Sequence, residues 1–566
     1  MEKTLEVVCD VLVIGGGVAG LFAAINAVGD SASVVLVDKA YAGQSGASIM
    51  ASGWLNVFAE EWGNDFEALM AGIDENSSGL NDRTWSEIIM RGSNDVYQDM
   101  WKYGCVFPAP SDEMEDWYAR NMVVSARRAG GHNEETANGG APFAFIPLRH
   151  RGIPPYLRLE AERRGVQIVD HVNITDLLTV DRRVTGAFGF QVETGRQYVF
   201  EATATVLAGG NNYFRPPGYH TSSVTGDADA MAYRAGAGIS GKEFGDCHFN
   251  VAKDPAWKGT GELYPAHAYF VDAHGERVPM FGMDLGMAKA VHEGDGPCYW
   301  DFDAAGPDDV EALLNYSKKR GNPTETERIG LYPQDGGKWQ IAGGHAAGGS
   351  EEQMSGVWPV GHDGGTELPG LYAAGDCLYT RCWGAIKNGA PWGLIPAAVT
   401  GKLAGGSAAA YAGASGPAPS VASGRLDDLL DAQVEPLKRA GGYSPRWVCQ
   451  LLQNTMIPYY VSHIKEASRL EAALTMVLFM KDHMVPRLKA NDWHELKMVH
   501  EVKNMVLNAE MILRSGLERK ESRGRHFRED FPEEDPAWNA WIRIADVDGQ
   551  MTLERIPATT TTSIEE

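Results

Sequence analysis

Residues 15–20 read Gly-Gly-Gly-Val-Ala-Gly, a G-x-G-x-x-G set between a β-rich apolar run at residues 9–14 and a helix-prone run at residues 18–28. A second apolar run, residues 33–38, ends on Asp38. This order predicts a strand, a tight turn, a helix and a second strand enclosing a dinucleotide. Gly15 permits the turn, Gly17 lets backbone approach a pyrophosphate, and Gly20 lets the helix pack closely on the strand. Val18 and Ala19 open the helix, where unpaired N–H groups meet phosphate. Asp38 can accept a hydrogen bond from a ribose hydroxyl and would repel a 2′-phosphate. The competing reading is a glycine-rich turn in an α/β fold with no ligand.

The chain has 66 glycines in 566 residues, well above the usual ~7%. Its hydrophobic and aromatic content excludes a disordered glycine-rich polymer. The length predicts three or four domains or lobes. A net charge of −25 argues against nucleic acid and against anionic lipid as partners. The seven cysteines are dispersed, with no CxxC, so no zinc or iron–sulfur spacing exists and no metal is expected. Such cysteines fit a reduced, cytoplasmic protein. The apolar N-terminal segment follows Glu2, Glu6 and Asp10 rather than a basic region, and glycines break it. It is therefore not expected to be a signal peptide or a membrane span.

Two distal segments decide between NAD and FAD. Residues 201–211, EATATVLAGGN, run as a strand into a double glycine. Residues 370–376, GLYAAGD, do so again and end in Gly-Asp. A carboxylate there suits the ribityl or pyrophosphate part of FAD, a contact that a simple NAD site does not need. Three such elements around one nucleotide resemble the glutathione-reductase-like FAD architecture.

Further motifs follow in order: SGASIMASGWLN (45–56), TGDADAMAYRAGA (225–237), EFGDCH (243–248), GHAAGG (344–349) and ESRGRHFREDFPEED (521–535). Together they resemble the fumarate reductase/succinate dehydrogenase flavoprotein family, which includes L-aspartate oxidase and the adenylylsulfate reductase α subunit. The resemblance implies an α/β fold: a glutathione-reductase-like FAD-binding Rossmann domain with an inserted capping domain and a C-terminal helical domain. The FAD domain would occupy residues 1–240 and 345–415, the cap 241–344, and the helical domain 416–535. A tail, 536–566, is expected to fray. Residues 404–424, rich in Gly, Ala, Ser and Pro, are expected to form a flexible linker. Residues 426–517 carry helical apolar spacing.

The resemblance also implies FAD contacts at Gly15, Gly17, Val18, Ala19, Gly20, Asp38 and Lys39. Others fall at Ser45, Gly46, Ser48 and Gly53, at Ala208 and Gly209, at Asp227, and at Gly375 and Asp376. Family members with covalent flavin carry a His nine residues before the position matched here by Asn56; this chain has Ala47 there. FAD is therefore expected to be non-covalent.

On the substrate side, His248 and His345 match the family's two histidines, each with a structural alternative. The family's substrate-binding Arg falls in CWGAIKNGAPWG (382–393), where the matching cation is Lys387, with Arg381 nearby. Lys keeps the charge without the bidentate fork. The proton-delivering Arg position is Tyr264, with His267 close by. A phenol beside an imidazole can exchange protons, but this is not the fumarate machinery. Arg149, His150 and Arg151 either neutralise the pyrophosphate or form a solvated turn. Trp383 and Trp392 either wall a flat pocket or are core. Arg523, Arg525, His526 and Arg528 match the family segment that packs toward the flavin. Cys377 reads as packing, and no hydrolase elbow occurs.

These residues predict an FAD-dependent oxidoreductase moving a hydride between flavin and a small polar or anionic substrate held under the cap. Alternatives are an electron-transfer subunit resembling adenylylsulfate reductase α, with an iron–sulfur or other electron-carrying partner, and an aspartate-oxidase-like oxidase.

Overall fold

The computed structural model describes residues 4–29, 32–51, 54–107, 144–147, 152–215, 223–245, 249–251, 254–258, 269–278, 285–303, 337–345, 355–387 and 393–558. Its central sheet follows from runs of Val, Ile, Leu and Ala buried on both faces, the pattern of strands covered on two sides. The strands are β1 (Leu5–Ile14), β2 (Val34–Val37), β3 (Gln167–Val169), β4 (Val172–Val180), β5 (Arg183–Gln191), β6 (Gln197–Leu207) and β7 (Leu371–Ala373). Their order is β3-β2-β1-β6-β5-β4, with β7 also paired to β6. β3, β2, β1, β6 and β7 run parallel, while β5 and β4 form an antiparallel extension. Register sets Ile14 opposite both Val37 and Leu207, and Leu207 opposite Ala373. Four parallel strands thus end at one level, where a ligand crevice forms in such sheets.

Helix α1 (Val18–Ala27) covers β1 and packs on α2 (Leu394–Ser415). A Cβ on Gly401 would stand 2.3 Å from the Ala19 carbonyl oxygen, and one on Gly405 2.2 Å from that of Ala23. The expected linker at 404–424 is thereby corrected. Residues 404–415 continue α2, with Ala404, Ala408 and Ala412 buried. Their small side chains serve close helix contact rather than flexibility.

Between β6 and β7 in sequence lies a separate five-stranded sheet, ordered Asp254–Lys258, Phe249–Val251, Lys338–His345, Tyr299–Asp301 and Tyr269–Val271. It is built over Phe270, Trp300, Phe302 and Trp339, whose rings lie 4.6–5.8 Å apart. Downstream, helices Ser423–Lys438, Pro445–Met456, Tyr459–Ser462, Ala467–Phe479 and α3 (Trp493–Glu518) enclose their own apolar core.

The expected frayed tail is also corrected. Ala540–Val547 and Gln550–Pro557 form a hairpin turned by Asp548 and Gly549, both at positive φ. Its first strand pairs with Ile239–Ser240, which pairs in turn with Gly356–Val357. The hairpin thus joins the places where the chain leaves for, and returns from, the inserted sheet. Residues 559–566 lie outside the described residues.

Candidate active site

The crevice at the strand ends encloses about 950 Å³, including space open to solvent. Gly15, Gly17, Val18, Ala19, Asp38, Lys39, Ser45, Gly46, Ser48, Ala208, Gly209, Asp227, Gly375 and Asp376 all line it. Gly20 does not. A Cβ there would meet the Gly15 carbonyl oxygen at 1.8 Å, so Gly20 serves packing of α1 on the turn. Gly53 lies outside the described residues.

Several backbone positions keep this crevice open. Gly15 (φ +111°) passes so close to Ala208 that a Cβ would sit 2.3 Å from its carbonyl oxygen. Asp38 is 9% exposed. It accepts 2.7 Å hydrogen bonds from Gly16 N–H and Ala40 N–H, and one of 3.2 Å from the Ser45 hydroxyl. It therefore fixes the glycine turn, and a carboxylate has lone pairs to spare for a ribose. Ser48 Oγ accepts from Val18 N–H at 3.2 Å. Ala47 lines the crevice and packs against Tyr213 and Val224.

Lys39 donates to Thr225 Oγ1 (2.8 Å), Asp227 Oδ2 (2.8 Å) and Glu501 Oε1 (3.0 Å). Burial disfavours its charge, but the two carboxylates outweigh burial and hold its pKa above the usual lysine range. Burial likewise opposes the Asp227 charge, yet Lys39 keeps that carboxyl below its usual range.

A second group of side chains surrounds residues 384–387. Ala385 N–H donates to Ser77 O (3.0 Å), Lys387 N–H to Asn76 O (2.7 Å), and Arg525 N–H to Ala385 O (3.0 Å). Three distant segments are stitched there. Lys387 itself is exposed and lies outside the crevice lining. Arg381 is committed elsewhere: it pairs with Asp82 at 2.8 Å and sits 4.5 and 4.6 Å over the Trp358 and Trp541 rings. Trp383 belongs to the main core, so its pocket role is not seen, and Trp392 lies outside the described residues.

The C-terminal arginines are buried. Arg519, with no exposed side-chain surface, meets Glu243 (3.0 Å) and Glu521 (2.7 Å). Arg523 pairs with Glu521 (2.8 Å) and donates to Ser78 O (2.6 Å). Arg528 pairs with Asp530 (2.6 Å). Burial alone pulls Arg525 down to about 9. Burial, then the Lys465 and Arg519 charges, press His526 well below its usual value. Neutral His526 can accept from Lys465 Nζ at Nδ1 (3.2 Å) and donate from Nε2 to Arg519 O (3.2 Å).

His345 ends its strand directly opposite Phe249, the residue after His248. His248, Tyr264, His267, Arg149, His150 and Arg151 themselves lie outside the described residues. Cys377 is buried, donates to Leu207 O (3.1 Å) and is pushed up to about 12 by burial, as suits packing. Among the described residues no cluster of metal-ligating side chains occurs, and no helix is long and apolar enough to cross a membrane.

Sequence reasoning missed Glu501 and Asn504 on α3, which bond the crevice-lining Lys39 and Asp227, and Asn508, which bonds the neighbouring Gly226 O. The signal was the spacing of three and four residues that sets these polar side chains on one face of the helix.

Two family descriptions match the chain: an FAD binding domain over residues 10–291 and a fumarate reductase flavoprotein C-terminus over residues 450–565. Together they define an FAD-dependent oxidoreductase. The chain belongs to the fumarate reductase/succinate dehydrogenase flavoprotein family. It is 27% identical to a fumarate reductase (CoM/CoB) subunit of Methanothermobacter marburgensis, over 95% of this chain and 97% of that protein. It is 27% identical to L-aspartate oxidase of Caulobacter vibrioides, over 93% and 94%. The fold matches an Escherichia coli quinol fumarate reductase (TM-score 0.81, 18% identity, 99% and 98% covered). It also matches adenylylsulfate reductase from Archaeoglobus fulgidus (TM-score 0.79, 20% identity, 98% and 96% covered). The crevice fits FAD: parallel strand ends, a glycine-lined floor where Cβ atoms would collide, a helix N-terminus and an acid at the end of β2.

Proposed function

We propose that the chain oxidises or reduces a small polar or anionic substrate held between the crevice and the inserted sheet, using non-covalent FAD. The observation that carries this reading is the pairing of Phe249 with His345. Phe249 follows His248 in the sequence, which supports bringing the two histidines to one site. FAD supplies the hydride chemistry. His248, His345 and Lys387 hold the anionic end of the substrate, and Tyr264 or His267 moves the proton. The chemistry of Ala47 supports a dissociable cofactor, because a methyl group offers no nucleophile.

Anaerobic titration with a panel of small dicarboxylates, amino acids and sulfite-type anions tests the reading. One of them should bleach the bound flavin, and acid precipitation should release all yellow colour. A panel that bleaches nothing removes the anionic-substrate assignment, and colour kept in the pellet removes the non-covalent one.

The relatives divide into multi-subunit reductases and oxidases, and that split favours a second reading as an electron-transfer subunit with an iron–sulfur or other partner, in the cytoplasm. Stopped-flow reoxidation in air separates them. Rapid reoxidation supports the oxidase route, and sluggish reoxidation supports a protein partner.

A further inference from the structure

α3 belongs to the C-terminal helical region, yet two of its side chains bond residues that line the crevice, and a third bonds the chain next to them. Glu501, 1% exposed, receives Lys39 at 3.0 Å and also pairs with Arg215. Asn504 donates to Asp227 Oδ1 (2.8 Å). Asn508 donates to Gly226 O (3.0 Å) and accepts from Lys242 (2.9 Å). Lys39 and Asp227 line the crevice, and Lys39 follows the acid that ends β2. Of the groups that hold the Lys39 ammonium, Asp227 lines the crevice, Thr225 precedes it by two residues, and Glu501 alone comes from the helical region.

We infer that Glu501 is a positioning residue for the cofactor: it sets Lys39 and, through Lys39 and Asp227, the adenosine end of the crevice. The inference rests on the reading that Lys39 and Asp227 contact FAD. Coupling of this kind is reciprocal. If α3 shapes the crevice for the nucleotide, the nucleotide tightens the docking of α3 onto the cofactor domain. Two neighbouring pieces of chain joined only by apolar contact would show no such dependence on the nucleotide.

The test uses full-length apoprotein with FAD, and with ADP as a probe of the adenosine half. Glu501→Gln should weaken both ligands at least about fivefold. Glu510→Gln provides the control, because Glu510 is equally buried on the same helix but pairs with Lys481 and Arg514, neither of which lines the crevice. Its FAD and ADP affinities should stay at wild type. Lys39→Met should weaken both ligands, and its effect should be non-additive with Glu501→Gln. ADP should slow amide exchange within residues 493–518 of wild type but not of Glu501→Gln. Equal losses in Glu501→Gln and Glu510→Gln, or wild-type ADP affinity in a folded Glu501→Gln, overturn the inference. Wild-type affinity in Lys39→Met instead removes the assignment of Lys39 beneath it, and failure of the wild type to bind FAD removes the flavin reading.

Discussion

The floor of the crevice and the polar cluster beside Ala385 are both buried, but opposite means hold them. Beneath Gly15–Gly17, β1 and α1 bury Val11, Leu12, Val13, Val18, Leu21 and Phe22 with no exposed surface, and glycines bring backbone against backbone. Around residues 519–528 the interior is ionic: Arg519, Glu521, Glu243, Arg523 and Arg528 are all 7% exposed or less on their side chains. Apolar burial is non-directional and tolerates small adjustments. Buried charge is tolerable only while every partner stays in place. The floor can therefore be specified by one short stretch of chain, whereas the cluster needs residues 77, 243, 385 and 519–535 together.

The largest expected effect lies in the ionic cluster. Glu521→Ala strips Arg519 and Arg523 of their shared carboxylate and should cost about 3–5 kcal/mol, read by chemical denaturation. A loss under about 1 kcal/mol would mean that water reaches the cluster and that the contrast with the floor is overstated.

A buried group without a carboxylate should instead be held neutral. His500 on α3 faces Gln433 O at 3.1 Å beside the Phe190 ring. Burial first, then Lys503, lowers it to about 4. The folded state is thus neutral where the unfolded chain is protonated. The contribution is present above about pH 6.5 and is lost as pH falls toward 4, by up to about 3 kcal/mol. Stability measured from pH 7 to 4.5 should fall, and His500→Gln should flatten that slope. An unchanged slope in the variant places the acid sensitivity elsewhere.

In the floor, Gly405→Ala puts a methyl against the Ala23 carbonyl and should cost about 1–3 kcal/mol, with a matching drop in Tm. A neutral outcome would show that α1 and α2 can slide apart. The smallest effect is expected at the exposed Lys387. Lys387→Ala should raise KM about tenfold with kcat little changed, the mark of a uniform binding contact. A fall in kcat with constant KM would move Lys387 into the chemical step.

How much was readable follows the same division. The β1–α1–β2 unit lies within 38 residues, so periodicity and glycine spacing revealed it and most of the crevice lining. The glycines and alanines of 404–415 misled, because small residues suit both a loose linker and a tight helix contact, and only the presence of α1 decides between them. The hairpin carried a legible Asp548-Gly549 turn that its position near the chain end obscured. The arginine cluster gave its residue types but not its partners, since Glu243 and Ser78 lie hundreds of residues away. Glu501 was hidden for the same reason.

The C-terminal hairpin imposes an order on synthesis. Ile239–Ser240 is flanked on one side by Gly356–Val357 and on the other by Ala540–Val547. A ribosome adding about 5–20 residues per second makes residue 239 roughly 15–60 s before residue 557. During that interval the exit from the cofactor domain has an open strand edge, of the kind that invites mispairing. The nascent chain is therefore most open to mispairing from the synthesis of residue 240 until that of residue 547.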